Sequence, residues 1–254
     1  MPFLDHLEEL RWRIIWSLLA IAVGALAGWF IVTRLDVLGL LIRPISPLLG
    51  DGKLGYLSPM DPFFITLRLT LVVGVLLALP IVVYQIWVFL APALTKEEKR
   101  SIVPALYLGL LLFIGGMALS YFVALPMMFD FAAGFQTESL QQTIVIGPYL
   151  SIVVRTLLVF GIVFELPVVL LVLAVLGVVD AKMLAKGRRW AVVLITVVAA
   201  LVTPGDAVIL TVFMMVPLLL LYELGIGLAR LVERRRARAE RAEKEEEPQQ
   251  WAGV

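Results

Sequence analysis

The chain has 254 residues, of which 61% are hydrophobic and 16% charged, whereas a soluble domain is about one quarter charged. Water is therefore excluded as its main solvent, and a net charge of +1 from 21 basic and 20 acidic residues offers no footprint for nucleic acid. The absence of cysteine and the single histidine, His6, exclude disulfides, a thiolate nucleophile and a Cys- or His-based metal site.

The chain opens on Phe3-Leu-Asp-His-Leu-Glu-Glu-Leu-Arg11, whose Asp5, Glu8 and Glu9 do not resemble the basic start of a cleaved signal peptide, so the first helix is expected to be retained. On a helix, Phe3, Leu7, Leu10 and Ile14 share one face and leave Glu9 on another. Glu9 stands four residues before Arg13, the spacing of an intrahelical ion pair.

A hydrocarbon core of about 30 Å takes roughly 20 mostly apolar residues as a helix, because unpaired backbone groups are not tolerated there. Apolar segments at 12–32, 63–90, 102–125 and 149–179 each satisfy this. A fifth segment, 190–228, is too long for one crossing and is interrupted by Thr203-Pro-Gly-Asp206, which divides it into two short spans, 190–202 and 207–228. The expected fold is thus an all-α membrane protein with six transmembrane helices over residues 1–230, bent by internal prolines around a concave face, followed by a solvated tail at 231–254.

An even number of spans puts both ends on one side. Arg11, Arg13, Lys96, Lys99, Arg100, Lys182, Lys186, Arg188, Arg189 and the basic start of the tail fall on that side, and the positive-inside rule makes it cytoplasmic. The first external loop, about 33–62, contains Pro44, Pro47, Pro59 and Pro62, three glycines and the apolar run 38–42, and reads as a folded cap.

Ionisable groups inside spans require a reason. Arg68 and Glu223 lie near span ends, where a long side chain reaches the surface. Glu165 does not: it lies well inside the fourth span, just ahead of Pro167, and Arg155 is ten residues away, about 15 Å along a helix. Glu165 is therefore a candidate functional polar site. In the loop before the third span, Glu98 has two readings, a binding carboxylate or the partner of Thr95 in a capping box. No H-E-x-x-H, G-x-S-x-G or phosphate-binding loop is present, so neither an enzyme nor a cofactor is expected.

These segments together resemble the TatC family, the multispanning receptor of the twin-arginine protein translocase. The resemblance is carried by the opening nonapeptide, Ser58-Pro-Met-Asp-Pro-Phe-Phe64, the run from Pro80 to Leu94, Glu97-Glu-Lys-Arg100, Gly161-Ile-Val-Phe-Glu-Leu-Pro167, Leu201-Val-Thr-Pro-Gly-Asp206 and Pro217 to Gly225. It implies a multi-pass protein of the cytoplasmic membrane that recognises twin-arginine signal peptides. With small single-span TatA/TatB-type subunits, in a homo-oligomeric receptor complex, it would export folded proteins on the proton-motive force. By position, the resemblance implies signal-peptide binding by Glu9, Glu98, Arg11 and Phe89, an intramembrane role for Glu165, and functional roles for Pro44, Asp206 and Thr203. Leu210 stands where relatives often carry glutamine, a departure bearing on partner docking near Thr203. The rival reading is a proton- or ion-coupled solute transporter that uses Glu165, although no inverted repeat supports it.

Overall fold

The structure is a computed structural model that describes residues 2–49, 53–93, 96–134, 143–202 and 208–251. The chain forms two compact units, one of Met1–Leu94 with Ile114–Gly161 and one of Thr95–Phe113 with Ile162–Val254.

In the first unit, helix α1 (Pro2–Arg34) begins in the acidic opening segment, ahead of the apolar run. The loop after it contains α2 (Val37–Ile42), a 3-10 turn at Arg43–Ile45 and α3 (Ser46–Leu49). Asp36 caps α2 by accepting the Gly39 N–H at 2.9 Å. Pro44 stands at the start of the 3-10 turn, where a missing N–H costs nothing, and the adjacent Ile45 is 3% exposed. The loop is folded and tethered. Tyr121 and Tyr149 donate their hydroxyls to the Leu40 and Leu41 carbonyls, both at 2.7 Å, and the Gly55 backbone donates to Ile144 and accepts from Ile146.

Helix α4 (Asp61–Leu90) packs on α1 through glycine. A Cβ added at Gly28 would lie 2.6 Å from the Thr70 carbonyl oxygen, and one at Gly74 would lie 2.6 Å from the Ala25 nitrogen. One at Gly24 would overlap the Gly74 carbonyl oxygen. The two backbones touch, which is how helices associate where no hydrophobic force acts between them.

Helix α5 (Lys96–Leu119) passes through a wide turn at Ser120–Ala124, closed by the Leu125 N–H on the Ser120 carbonyl, into α6 (Leu125–Ala133). The third apolar segment therefore stays helical eight residues beyond Leu125, and Pro126 falls in the first turn of α6, where proline is tolerated. Helix α7 (Ile146–Phe164) completes the first unit's framework and continues into the second unit.

In the second unit, α8 (Leu166–Val175) ends at Gly177, whose φ of 71° suits glycine alone, and α9 (Ala181–Lys186) follows. Helices α10 (Arg188–Val202) and α11 (Val208–Trp251) complete the chain. Gly225 of α11 lies against α8, since an added Cβ would meet Leu170 Cδ1 at 2.6 Å. Glu233 accepts the Ala181 N–H, and the Tyr222 hydroxyl donates to the Leu184 carbonyl at 2.8 Å, tying α9 to α11. Glu223 is used structurally, in a two-pronged ion pair with Arg188 at 2.6 and 2.8 Å.

Among the described residues, five helical stretches are long and apolar enough to cross a membrane: His6–Arg34, Asp61–Phe89, Val103–Ala133, Ile146–Val175 and Met214–Arg234. The last spans 21 residues and α10 has 15, against 29 to 31 for the first four, so the final two crossings are the short ones. Helices α4, α5 and α11 continue through Pro80, Pro104 and Pro217. The charged segment after residue 230 is helical in its backbone as far as Trp251.

Because the α1–α4 contact leaves no room for a methyl group, Gly28→Ala should lower the thermal unfolding midpoint in detergent by the equivalent of about 1–3 kcal/mol. Gly115→Ala, where an added Cβ meets nothing within 4 Å, should not. Equal shifts in the two variants would show that backbone contact does not limit stability.

Candidate functional site

Two sequence candidates of the first unit, Glu9 and Phe89, lie where the start of α1 meets the end of α4. His6 and Phe89 stack with ring centroids 4.5 Å apart and planes 18° from parallel. One turn further along α1, Glu9 Oε1 meets Arg13 Nη2 at 3.1 Å, so the i,i+4 pair that the spacing allowed is formed. Arg13 also reaches across to α4, where its Nη1 donates to Gln85 Oε1 at 3.3 Å. His6, Glu9 and Arg13 thus share one face of α1, and Gln85 and Phe89 share one face of α4.

The Glu9 and Arg13 side chains are 30% and 29% exposed, so water and a ligand both have access to the pair. Arg13 Nε, in the same guanidinium, is buried without a hydrogen-bond partner among the described residues, as is the indole N–H of Trp87 elsewhere on α4. Buried donors without partners are costly, and peptide carbonyls would satisfy them. Arg11 is exposed two positions after Glu9.

Neither His6 nor Gln85 stands out in the sequence as a residue of this site. The signal that could have found them is the antiparallel register of α1 and α4, which pairs residue 6 with 89 and residue 13 with 85. Pro44 lies in the tethered loop, away from this group in the sequence and committed to the turn that buries Ile45. Glu98 sits in the first turn of α5 by backbone position, and its side chain falls outside the described residues, as do Thr95, Thr203 and Asp206.

In the second unit, Glu165 interrupts the fourth span. Pro167 cannot donate to the carbonyl one turn back, so α7 ends at Phe164 and α8 begins at Leu166. Glu165 bridges the break: its N–H donates to Ile162 at 3.1 Å, and its carbonyl accepts from Val168 and Val169, both at 3.0 Å. The carboxylate is half-buried and turned onto α5, where a Cβ on Gly109 would lie 2.6 Å from Glu165 Oε2. Only glycine leaves that space. Among the described residues neither an ion pair nor a side-chain hydrogen bond to this carboxylate is present. A carboxylate without an ionic partner in an apolar span is costly.

A family model described as Sec-independent protein translocase protein (TatC) matches residues 5–217 of this chain. The chain is 36% identical over 252 residues to the Sec-independent protein translocase protein TatC of Koribacter versatilis, covering 97% of this chain and 92% of that protein. It is also 36% identical over 244 residues to the Aquifex aeolicus protein of the same name, covering 95% and 100%. Against the Escherichia coli protein it is 35% identical over 230 residues, covering 90% and 88%. A crystal structure of the twin-arginine translocase receptor TatC superposes with a TM-score of 0.75 at 36% identity, over 90% of this chain and 99% of that one.

If the space at Gly109 seats the Glu165 carboxylate, Gly109→Ala should impair transport as Glu165→Gln does while leaving thermal unfolding close to wild type. A large loss of thermal stability with transport intact in the folded fraction would instead make Gly109 a packing residue.

Proposed function

The chain belongs to the TatC family of Sec-independent protein translocase proteins, and on that premise we propose that it recognises twin-arginine signal peptides through Glu9 and Glu98. The observation that carries this reading is the accessible Glu9 carboxylate, held at one oxygen by Arg13, whose Nε lacks a partner among the described residues, on the face of α1 where His6 stacks on Phe89. Solved TatC structures named as twin-arginine translocase receptors share the fold. Membership of this family also sets aside the solute-transporter reading.

The chemistry favours arginine for a physical reason. A guanidinium presents a rigid fork of donors that matches a carboxylate in two parallel bonds, and lysine is a point charge without that geometry. Glu9 is already occupied, but weakly. A solvent-accessible i,i+4 pair is worth about 0.3–0.5 kcal/mol, while a hydrogen bond to a charged group is worth about 1.5–3 kcal/mol. An incoming arginine therefore displaces Arg13 at small cost, and Gln85 holds the displaced guanidinium. Glu98 supplies the carboxylate for the second arginine, in the first turn of α5, where negative charge is favoured by the helix dipole. Arg11 and the Phe89 ring flank the bound peptide.

On this reading the protein lies in the cytoplasmic membrane with both ends in the cytoplasm, an orientation that the distribution of lysine and arginine supports. Small single-span TatA/TatB-type subunits join a homo-oligomer of this chain, with functional roles for Thr203, Asp206 and Pro44, and the proton-motive force drives export. Glu165 acts after recognition, since its depth in the fourth span keeps it from first contact.

A folded reporter whose signal carries paired arginines should be exported, and the same reporter with paired lysines should not; equal export would remove the receptor reading. Crosslinking of a labelled signal peptide should fall in Glu98→Ala and, more mildly, in Glu9→Ala, yet persist in Glu165→Gln with transport lost. Loss of crosslinking in Glu165→Gln to the level of Glu98→Ala would overturn the proposed order of events.

A further inference from the structure

Arg68, like Arg155, is an ionisable span residue that neither recognition nor transport uses. It lies in the first unit on the rim of a cleft of about 370 Å³ between α4 and α7, whose walls include Leu57, Phe64, Ile65 and Leu69. Its Nη1 donates to Ser151 Oγ at 2.7 Å, and Ser151 donates in turn to the Gly147 carbonyl at 2.9 Å, so the guanidinium is aimed at the cleft by a neutral partner. Among the described residues it forms no ion pair. A cation in a membrane span is costly without a counter-charge.

Asp61 borders the same cleft on the same helix. Its Oδ2 accepts the N–H groups of Leu57 and Ser58 at 3.0 and 2.9 Å, which fixes the carboxylate at the start of α4. Arg68 is seven residues deeper, about 10 Å along the axis, and side chains on a helix lean toward its N-terminus, which carries the guanidinium back toward Asp61. The cleft thus offers a cation hydrogen-bonded to Ser151, an anion held by the backbone at the start of the same helix and an apolar wall, with Leu57 84% and Phe64 59% exposed.

We propose that this cleft binds one glycerophospholipid with an ethanolamine headgroup, its phosphate on Arg68, its ammonium on Asp61 and the first part of an acyl chain along Phe64 and Leu69. The phosphate supplies the counter-charge that the protein does not. The ammonium, with three donors, uses the carboxylate oxygen that the backbone leaves open. The site is at the external ends of α4 and α7, on the face opposite the one read by the signal peptide in the proposed orientation.

Native mass spectrometry of the full chain in micelles containing phosphatidylethanolamine, phosphatidylglycerol or diacylglycerol with the same acyl chains tests this. The wild type should retain one phosphatidylethanolamine, Arg68→Gln should retain it about fivefold less, and diacylglycerol should not be retained. Asp61→Asn should abolish the preference for phosphatidylethanolamine over phosphatidylglycerol, and soluble glycerophosphoethanolamine should not compete. Equal retention by wild type and Arg68→Gln, or equal retention of diacylglycerol, would overturn the proposal. A photoreactive phosphatidylethanolamine on the unaltered protein gives a second readout, with labelling expected at 57–69 and 145–154. Labelling only elsewhere, or displacement of the lipid from those segments by a signal peptide, would overturn it as well.

Discussion

The backbone contact between α1 and α4 is the constraint from which the candidate recognition site follows. In lipid, apolar side chains gain nothing by leaving one apolar medium for another, so helices hold together through close packing of small residues. Gly24, Gly28 and Gly74 bring the two helices to touching distance. Further along the same pair, that register lays His6 on Phe89 and sets Arg13 beside Gln85, leaving Glu9 accessible. A bulkier crossing would separate these residues without altering any of them.

The polar groups inside the spans sort by whether the protein satisfies them. Glu223 is satisfied by Arg188 in a two-pronged pair and reads as structure. Glu9 is half-satisfied, with one oxygen on Arg13, and is thereby oriented and still exchangeable. Glu165 is given space by Gly109 and no ionic partner among the described residues, and Arg68 is given only a serine hydroxyl. In a medium of low dielectric, an incomplete group is costly, and the proposed functions assign each of these groups a partner from outside the chain.

Much of the architecture was legible because hydrocarbon imposes length and apolarity directly on the sequence. The crossings, the shortness of the last two and the break at Glu165 follow from apolar runs and from Pro167. The wide turn at Ser120–Ala124 was not legible, since no proline or glycine marks it and the hydrophobic pattern runs through unchanged. The cap was legible as folded from its prolines and apolar run, but its tethers were not, because Tyr121 and Tyr149 donate to backbone carbonyls that carry no sequence signal. At the site, the Glu9–Arg13 pair was readable from spacing alone. His6 on Phe89 and Glu165 on Gly109 are contacts between separate helices, and a single sequence does not encode which faces meet.

The central claim is that carboxylates of this protein distinguish arginine from lysine in the signal. A double-mutant cycle on signal-peptide binding tests it most directly, comparing paired-arginine and paired-lysine peptides on the wild type and on the Glu9→Gln, Glu98→Gln double variant. The account predicts that the lysine substitution weakens binding to the wild type and has little further effect on the variant. An equal penalty for lysine in both proteins would contradict it, because the discrimination would then reside elsewhere.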